Sequence, residues 1–216
     1  MAVIHRTTLT PTKLELLTAW LPSRPWYRGG AVPEPAKAGG FRLDDPQGEV
    51  GIEFMVVTDA SGGDPAAYLV PLTYRGAPLP GAEHALVGTT EHGVLGHRWV
   101  YDGCQDPVLV DQLLALMAGL APAQDQSASD TPDREVTRSA REDGRVPAGF
   151  TGTAADGPEG TDLPGPDGAV LRVRRVLRPG EAAGPLPAGV AGRVGGAWQQ
   201  PDGTRVQGLF AELRTG

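Results

Sequence analysis

His84, His92 and His97 are the residues of this chain whose type and spacing come nearest to a metal site, and Cys104 follows them closely in sequence. Glu91-His92-Gly93 has the composition of a turn, so a hairpin there would bring His92 and His97 together. A zinc site needs four ligands in a closed tetrahedral set. These spacings announce no fourth ligand, so the expectation is packing or surface histidines, with no metal and no other cofactor. Asp102, Cys104 and Asp106 could in principle pair a thiol nucleophile with carboxylates. A reactive cysteine needs a lowered pKa and a nearby base, and Asp106 before Pro107 reads more simply as a helix cap. No catalytic residue is expected.

Two further groups could bind rather than react. Trp26 and Tyr27 with Arg28, near Trp20, could form a platform on which a sugar ring stacks, the aromatic faces meeting the ring and the cation its hydroxyls; core packing explains the same residues equally well. Arg172, Arg174, Arg175 and Arg178 form a basic stripe. On an alternating strand Arg172 and Arg174 share one face and Arg175 takes the other, so they make no single anion site. Gly192, Gly195 and Gly196 lack the GxxxxGK[ST] pattern of a phosphate loop and a helix after it, so turns or bulges are expected there.

Composition narrows the class. The 216 residues carry a formal charge of −7, with 8 cations and 13 anions up to residue 120 and 11 and 13 beyond it. Neither part is basic, so binding to nucleic acid is not expected. Only Lys13 and Lys37 are lysines; the remaining cations are arginine. With the Ala, Gly and Pro bias, this points to a GC-rich bacterial genome. One cysteine permits no internal disulfide, Met1 to Thr10 has no apolar signal core, and no apolar run reaches the ~18 residues of a membrane span. A cytoplasmic location without a membrane partner is the expectation.

The elements that must position these residues can be read locally. A Thr cap followed by Pro, then Leu14, Leu16, Leu17, Trp20 and Leu21 at helical spacing, predicts a first helix stopped by Pro22. Strands are predicted over 48–59, 66–74, 85–90 and 95–102, joined by hairpins into an antiparallel meander, with Pro71 marking an edge or bulge. A second helix begins at Asp106-Pro107 and ends at Gly119. Ala121 to Asp133 has linker composition. Beyond it, strands are predicted near 134–142, 147–154, 169–178, 190–199 and 204–214, whereas Gly157 to Gly168 is too rich in Gly, Pro and Asp to pack. The fold class is α+β, with domains at 1–120 and 134–216 and a linker over 121–133, the second domain being a separate small antiparallel sheet.

Leu14-Glu15-Leu16-Leu17 with Trp20-Leu21-Pro22, Trp26-Tyr27-Arg28-Gly29, Tyr68 to Arg75, and Val100-Tyr101-Asp102-Gly103 before Asp106-Pro107 together resemble the N-terminal cap of bacterial maltokinases, including stand-alone relatives in actinobacteria. The resemblance implies a helix on a curved antiparallel sheet, similar to the cystatin topology. Residues 169–180 resemble the kinase small-lobe strand that carries the ATP lysine, with Arg172 at the lysine position and Pro179-Gly180 closing the match. Arginine replaces lysine there poorly, Glu181 to Pro187 opposes the helix that would supply a partner glutamate, and no histidine follows His97 for a catalytic loop. The chain also stops before a large lobe could begin. The resemblance thus implies a non-enzymatic, pseudokinase-like accessory or interaction protein whose partner is an enzyme of trehalose, maltose or glycogen metabolism. The alternative is a binder of an oligosaccharide or nucleotide in a crevice between two sheets. The oligomeric state is left open.

Overall fold

The computed structural model describes residues 8–128, 130–141, 146–147, 149–150, 152–180, 182 and 184–215. The first helix, α1 (Lys13–Trp20), follows a two-residue strand β1 (Leu9–Thr10). Its cap is Thr12, after Pro11, rather than a threonine before the proline. Thr12 lies three residues ahead of Glu15, and the two complete a capping box in which Glu15 N donates to Thr12 Oγ1 (3.3 Å) and Thr12 N to Glu15 Oε2 (2.7 Å). Pro22 ends the helix as expected, in a short 3-10 turn over Leu21–Ser23.

Strands β2 (Ala36–Leu43), β3 (Gly51–Asp59), β4 (Ala66–Arg75), β5 (Leu86–His92) and β6 (Gly96–Asp102) are all antiparallel. They do not form a simple meander: the spatial order is β5-β6-β4-β3-β2, so β6 rather than β5 lies against β4. The long connection from β4 to β5 lets that hairpin turn over before docking. Pro71 sits neither at an edge nor in a bulge. It pairs with Phe54 of β3, and its missing N–H falls on the opposite side, where the neighbour of β4 changes from β6 to another strand. A proline is tolerated in a central strand because no ladder bond is required at that point.

The second helix, α2 (Pro107–Ala118), begins and ends where the sequence indicates. Asp106 Oδ1 accepts from Val108 N (3.0 Å), and Gly119 takes a left-handed conformation (φ 77°). Strands β7 (Gln124–Asp125), β8 (Thr137–Ala140), β9 (Ala155–Asp156), β10 (Gly160–Pro164), β11 (Val170–Arg174), β12 (Val176–Leu177), β13 (Val190–Gln199) and β14 (Arg205–Arg214) complete the described strands. The last two match the sequence reading closely. The region 157–168 does pack, against expectation: Thr161 and Leu163 of β10 are buried, because Gly160 lets the Val173 carbonyl approach where a Cβ would lie 2.6 Å from its oxygen. No strand forms in the described residues of 147–154; Ala148 and Thr151 lie outside them, as do Glu142 and part of Glu181–Pro187.

The later strands do not form a separate second sheet as expected: among the described residues all strands join one sheet, in which β2 continues to β13 through the pair Gly39–Trp198. Close approach at this seam depends on glycine. Gly40 has φ 127°, and a Cβ there would lie 2.2 Å from the Phe54 carbonyl oxygen. Phe41 stacks on Phe54 (4.5 Å between ring centres) and lies 6.2 Å from Phe210 of β14, so one aromatic core spans both parts of the chain. The stretch 121–133 is tied to this core as well, with Ala123 buried and Gln124–Asp125 paired to Phe41 and Arg42. Helix α1 covers one face of β3 and β4 through Leu17 and Trp20 against Met55, Val57, Val70 and Leu72, and α2 covers the other through Leu109, Leu113 and Met117. That two-sided cover explains why β3 is an almost unbroken apolar run. The fold is α+β, mostly antiparallel sheet with two short helices; no helix of the described residues is long and apolar enough to cross a membrane.

Asp106 is fully buried, caps α2 and also receives both ends of the Arg75 guanidinium at 2.7 Å. Asp106→Ala is expected to cost about 3 kcal/mol, the sum of a lost cap and an orphaned arginine, and Asp106→Asn about 1 kcal/mol because the cap survives. Urea unfolding followed by circular dichroism measures both.

Candidate functional site

The segment expected to offer an aromatic platform is folded inward. Trp26 has no exposed surface; its ring lies 5.7 Å from Trp20 and 5.9 Å from Tyr68, and the Arg175 guanidinium stacks 5.1 Å from its centre. Its faces are occupied by protein, so stacking of a sugar on Trp26 is not available in this fold. Tyr27 is half-buried and donates through its hydroxyl to Asp59 Oδ2 (2.8 Å). Burial and then the Asp59 charge raise that phenol to about 12. Arg28 anchors the segment at both ends: its backbone N–H donates to Tyr68 Oη (3.0 Å) and its guanidinium pairs with Glu159.

Arg175, the arginine on the inward face of the stripe, draws these pieces together. It is fully buried where β11 gives way to β12. Nη2 lies 2.6 Å from both carboxylate oxygens of Asp102, at the end of β6, and Nε donates to Thr161 Oγ1 on β10 (2.7 Å), which donates onward to Asp156 (2.6 Å). Its carbonyl accepts from Leu69 N of β4 (3.0 Å). Burial opposes the charge, but Asp102 outweighs it and holds the guanidinium more firmly protonated than usual. Nη1 of Arg175 and Nε1 of Trp26 are buried without a hydrogen-bond partner. Around this core, Arg24 pairs with Asp156 (3.9 Å) and Gln105 donates to the Ala154 carbonyl (2.9 Å). The bonds of Arg175 to Asp102 and Leu69, of Arg24 to Asp156 and of Gln105 to Ala154 all run from the first 106 residues to the region after 150.

Residues 20–106 match the maltokinase N-terminal cap domain. That span opens at Trp20 and closes at Asp106, so it contains Trp26, Asp59, Asp102 and the five strands β2 to β6. No curated protein matches the chain. In these terms, Arg175 is a cation from outside the cap that is received by the cap's own Asp102.

Arg172 occupies a different environment. It lies on the outward face of β11, half-exposed, with Nε and Nη2 at 2.6 and 2.5 Å from the two oxygens of Asp162 directly across on β10. Arg174 and Arg214 converge on the buried Glu212 of β14 at 3.2 and 2.7 Å. Thus Arg172 and the Trp26 segment are not brought together; Arg175 is the member of the stripe that reaches the cap.

The remaining chemical candidates resolve locally. His92 Nδ1 accepts from Val94 N and Leu95 N (3.2 and 3.0 Å), closing the β5–β6 turn, and His97 pairs with Glu91 (2.5 Å) on the exposed hairpin. Among the described residues no group of three or more His, Cys, Asp or Glu is arranged to hold a metal ion. Cys104 is buried, and burial first, then Asp102, pushes its thiol far above the range in which a thiolate forms, despite Arg175 nearby.

Sequence reasoning missed one polar cluster entirely. Glu53 of β3 is buried beneath α1 and accepts from Lys13 Nζ (2.5 Å), Tyr74 Oη (2.7 Å) and Gln126 Nε2 (2.7 Å). A glutamate inside an apolar strand was the available signal. Burial raises its pKa, but Lys13 and the two neutral donors outweigh that and leave it lowered. Asp59 is likewise lowered, burial being outweighed by bonds from Ser61, Tyr27 and the Glu34 amide.

Two outcomes follow. Arg175→Met leaves Asp102 buried without a counter-charge and is expected to cost about 3–5 kcal/mol in urea unfolding, and Arg175→Lys at least about 2 kcal/mol, because one ammonium cannot serve Asp102 and Thr161 together. Glu53 and Asp59 have folded-state pKa values below their unfolded ones, so their stabilisation is present above the unfolded values and is lost as the pH falls. Melting temperature should be level above about pH 5 and decline below about pH 4.5, with a shallower decline in Glu53→Gln.

Proposed function

We propose that this protein is a non-catalytic accessory or interaction protein related to maltokinase, acting in the cytoplasm in bacterial trehalose, maltose or glycogen metabolism. In this reading a cap of cystatin-like topology carries a β unit, residues 134–216, that resembles a kinase small lobe without its chemistry. The observation that carries it is the state of Arg172. At the position where the resemblance calls for a lysine reaching nucleotide phosphates, the side chain is an arginine clamped across the strand pair by Asp162. A planar guanidinium engaged at two of its three nitrogens is a poor substitute for a compact ammonium on phosphates.

Two further facts support the reading. The chain has no lysine after Lys37, and the described residues between 182 and 189 contain no helix that could present a partner glutamate. The span 20–106, by contrast, is held by buried carboxylates and aromatic packing. The strands of both parts join one sheet, and at the line where they meet Phe41, Trp198 and Phe210 pack together in the core. A protein–protein role therefore fits better than a cleft between sheets.

Millimolar Mg-ATP is expected to leave the melting temperature of the wild type and of Arg172→Lys unchanged, since a ligand that binds only the folded state must raise it. A rise in either protein overturns the pseudokinase-like assignment. Arg172→Lys itself should shift stability by no more than about 0.5 kcal/mol, because an exposed ion pair contributes little. Co-purification from the native host is expected to recover maltokinase, trehalose synthase or a glucan-branching enzyme; recovery of none at micromolar protein removes the partner assignment.

A further inference from the structure

The two lysines of the sequence, twenty-four residues apart, line one pocket. It is an open depression of about 400 Å³ between the start of α1 and the face of β2 and β3 that α1 covers. Its apolar lining comes from Leu9, Leu14 and Met55, and its charged lining from Lys13, Lys37 and Glu53. The three charges are not equivalent. Glu53 is buried and covered by Lys13, whose ammonium sits 2.5 Å from it, so this pair is neutral as a unit. Lys37 lies opposite Val57 in the β2–β3 ladder and so on the same face as Met55, and its ammonium makes no ion pair or hydrogen bond with a described side chain. Among the described residues the pocket therefore carries one ammonium without a counter-charge beside an apolar floor, in a chain whose net charge is −7 and whose cations other than Lys13 and Lys37 are arginines.

We propose that this pocket binds a small amphipathic monoanion, its acidic group on Lys37 and its hydrocarbon body against Leu9, Leu14 and Met55. The neutral Lys13–Glu53 pair forms one wall and favours a ligand with a single charge, since a second negative charge would have to lie near the Glu53 carboxylate. A lysine suits this role better than arginine would, because a compact ammonium on a flexible stem can follow a mobile acidic group without a fixed bidentate geometry. The site is independent of the function proposed above, as it involves neither Arg172 nor the ties around Arg175.

The test uses the full chain with hexanoate as the probe, hexanol as its neutral counterpart and inorganic phosphate as an anion without an apolar body. Hexanoate titrated to about 10 mM, the range of weak single-site ligands, is expected to shift the backbone amide resonances of Leu9, Leu14, Lys37 and Met55. Lys37 is exposed, so Lys37→Gln should fold normally, and it is expected to weaken hexanoate binding at least tenfold, as loss of a charge-assisted hydrogen bond does, while leaving hexanol unaffected. Absence of shifts at these residues, equal hexanoate affinity in Lys37→Gln, or binding of hexanol or phosphate as tight as that of hexanoate would each overturn the proposal.

Discussion

The structure turns on one buried cation. Arg175 has no contact with solvent, and its charge is tolerated because Asp102 meets it with both oxygens at 2.6 Å, Thr161 takes a third bond and the face of Trp26 lies beneath it. Removing either partner would strand a charge in the interior, where the desolvation cost falls in full on the survivor. The two residues are far apart in sequence, one at the end of the last strand of the cap and the other past residue 170, so the pair makes the two regions depend on each other. The packing of Trp20 and Tyr68 around Trp26, whose face carries the guanidinium, gives that dependence a shape as well as a charge.

A second continuity reinforces the first. The sheet passes from β2 to β13 at Gly39 and Trp198, and the stacked Phe41, Phe54 and Phe210 carry the core across the same line. Glycine at 39 and 40 permits backbones to approach where any Cβ would collide with a carbonyl or with Trp198. Interior packing tolerates little adjustment, so the seam and the Arg175 cluster restrict motion of the cap against the later strands from two directions.

Several carboxylates take roles that in isolation would suggest chemistry. Asp106 caps a helix and holds Arg75, Asp102 receives Arg175, Glu53 gathers Lys13, Tyr74 and Gln126, and Glu212 gathers Arg174 and Arg214. Each is buried and each is satisfied by partners from other elements. The arrangement is that of structural ties between elements.

What the sequence determined by itself was local. Asp106-Pro107 with Gly119 defined α2, Pro22 stopped α1, and the apolar runs and the Pro-Asp-Gly turn located β3, β13 and β14, because caps, turns and β-branched runs act through neighbouring atoms. The cap resemblance, carried by short motifs between Trp20 and Asp106, was legible for the same reason. The strand alternation even separated Arg175 from Arg172 and Arg174. What it could not indicate was which face would be buried, and tertiary structure alone decided that Arg175 meets Asp102, that Trp26 turns inward beneath it, and that Lys13 and Lys37 share a pocket around Glu53. The order β5-β6-β4, the packing of 157–168 and the continuous sheet were decided there too. These outcomes rest on contacts between residues tens of positions apart, whose energies come from burial and charge pairing that no local pattern encodes.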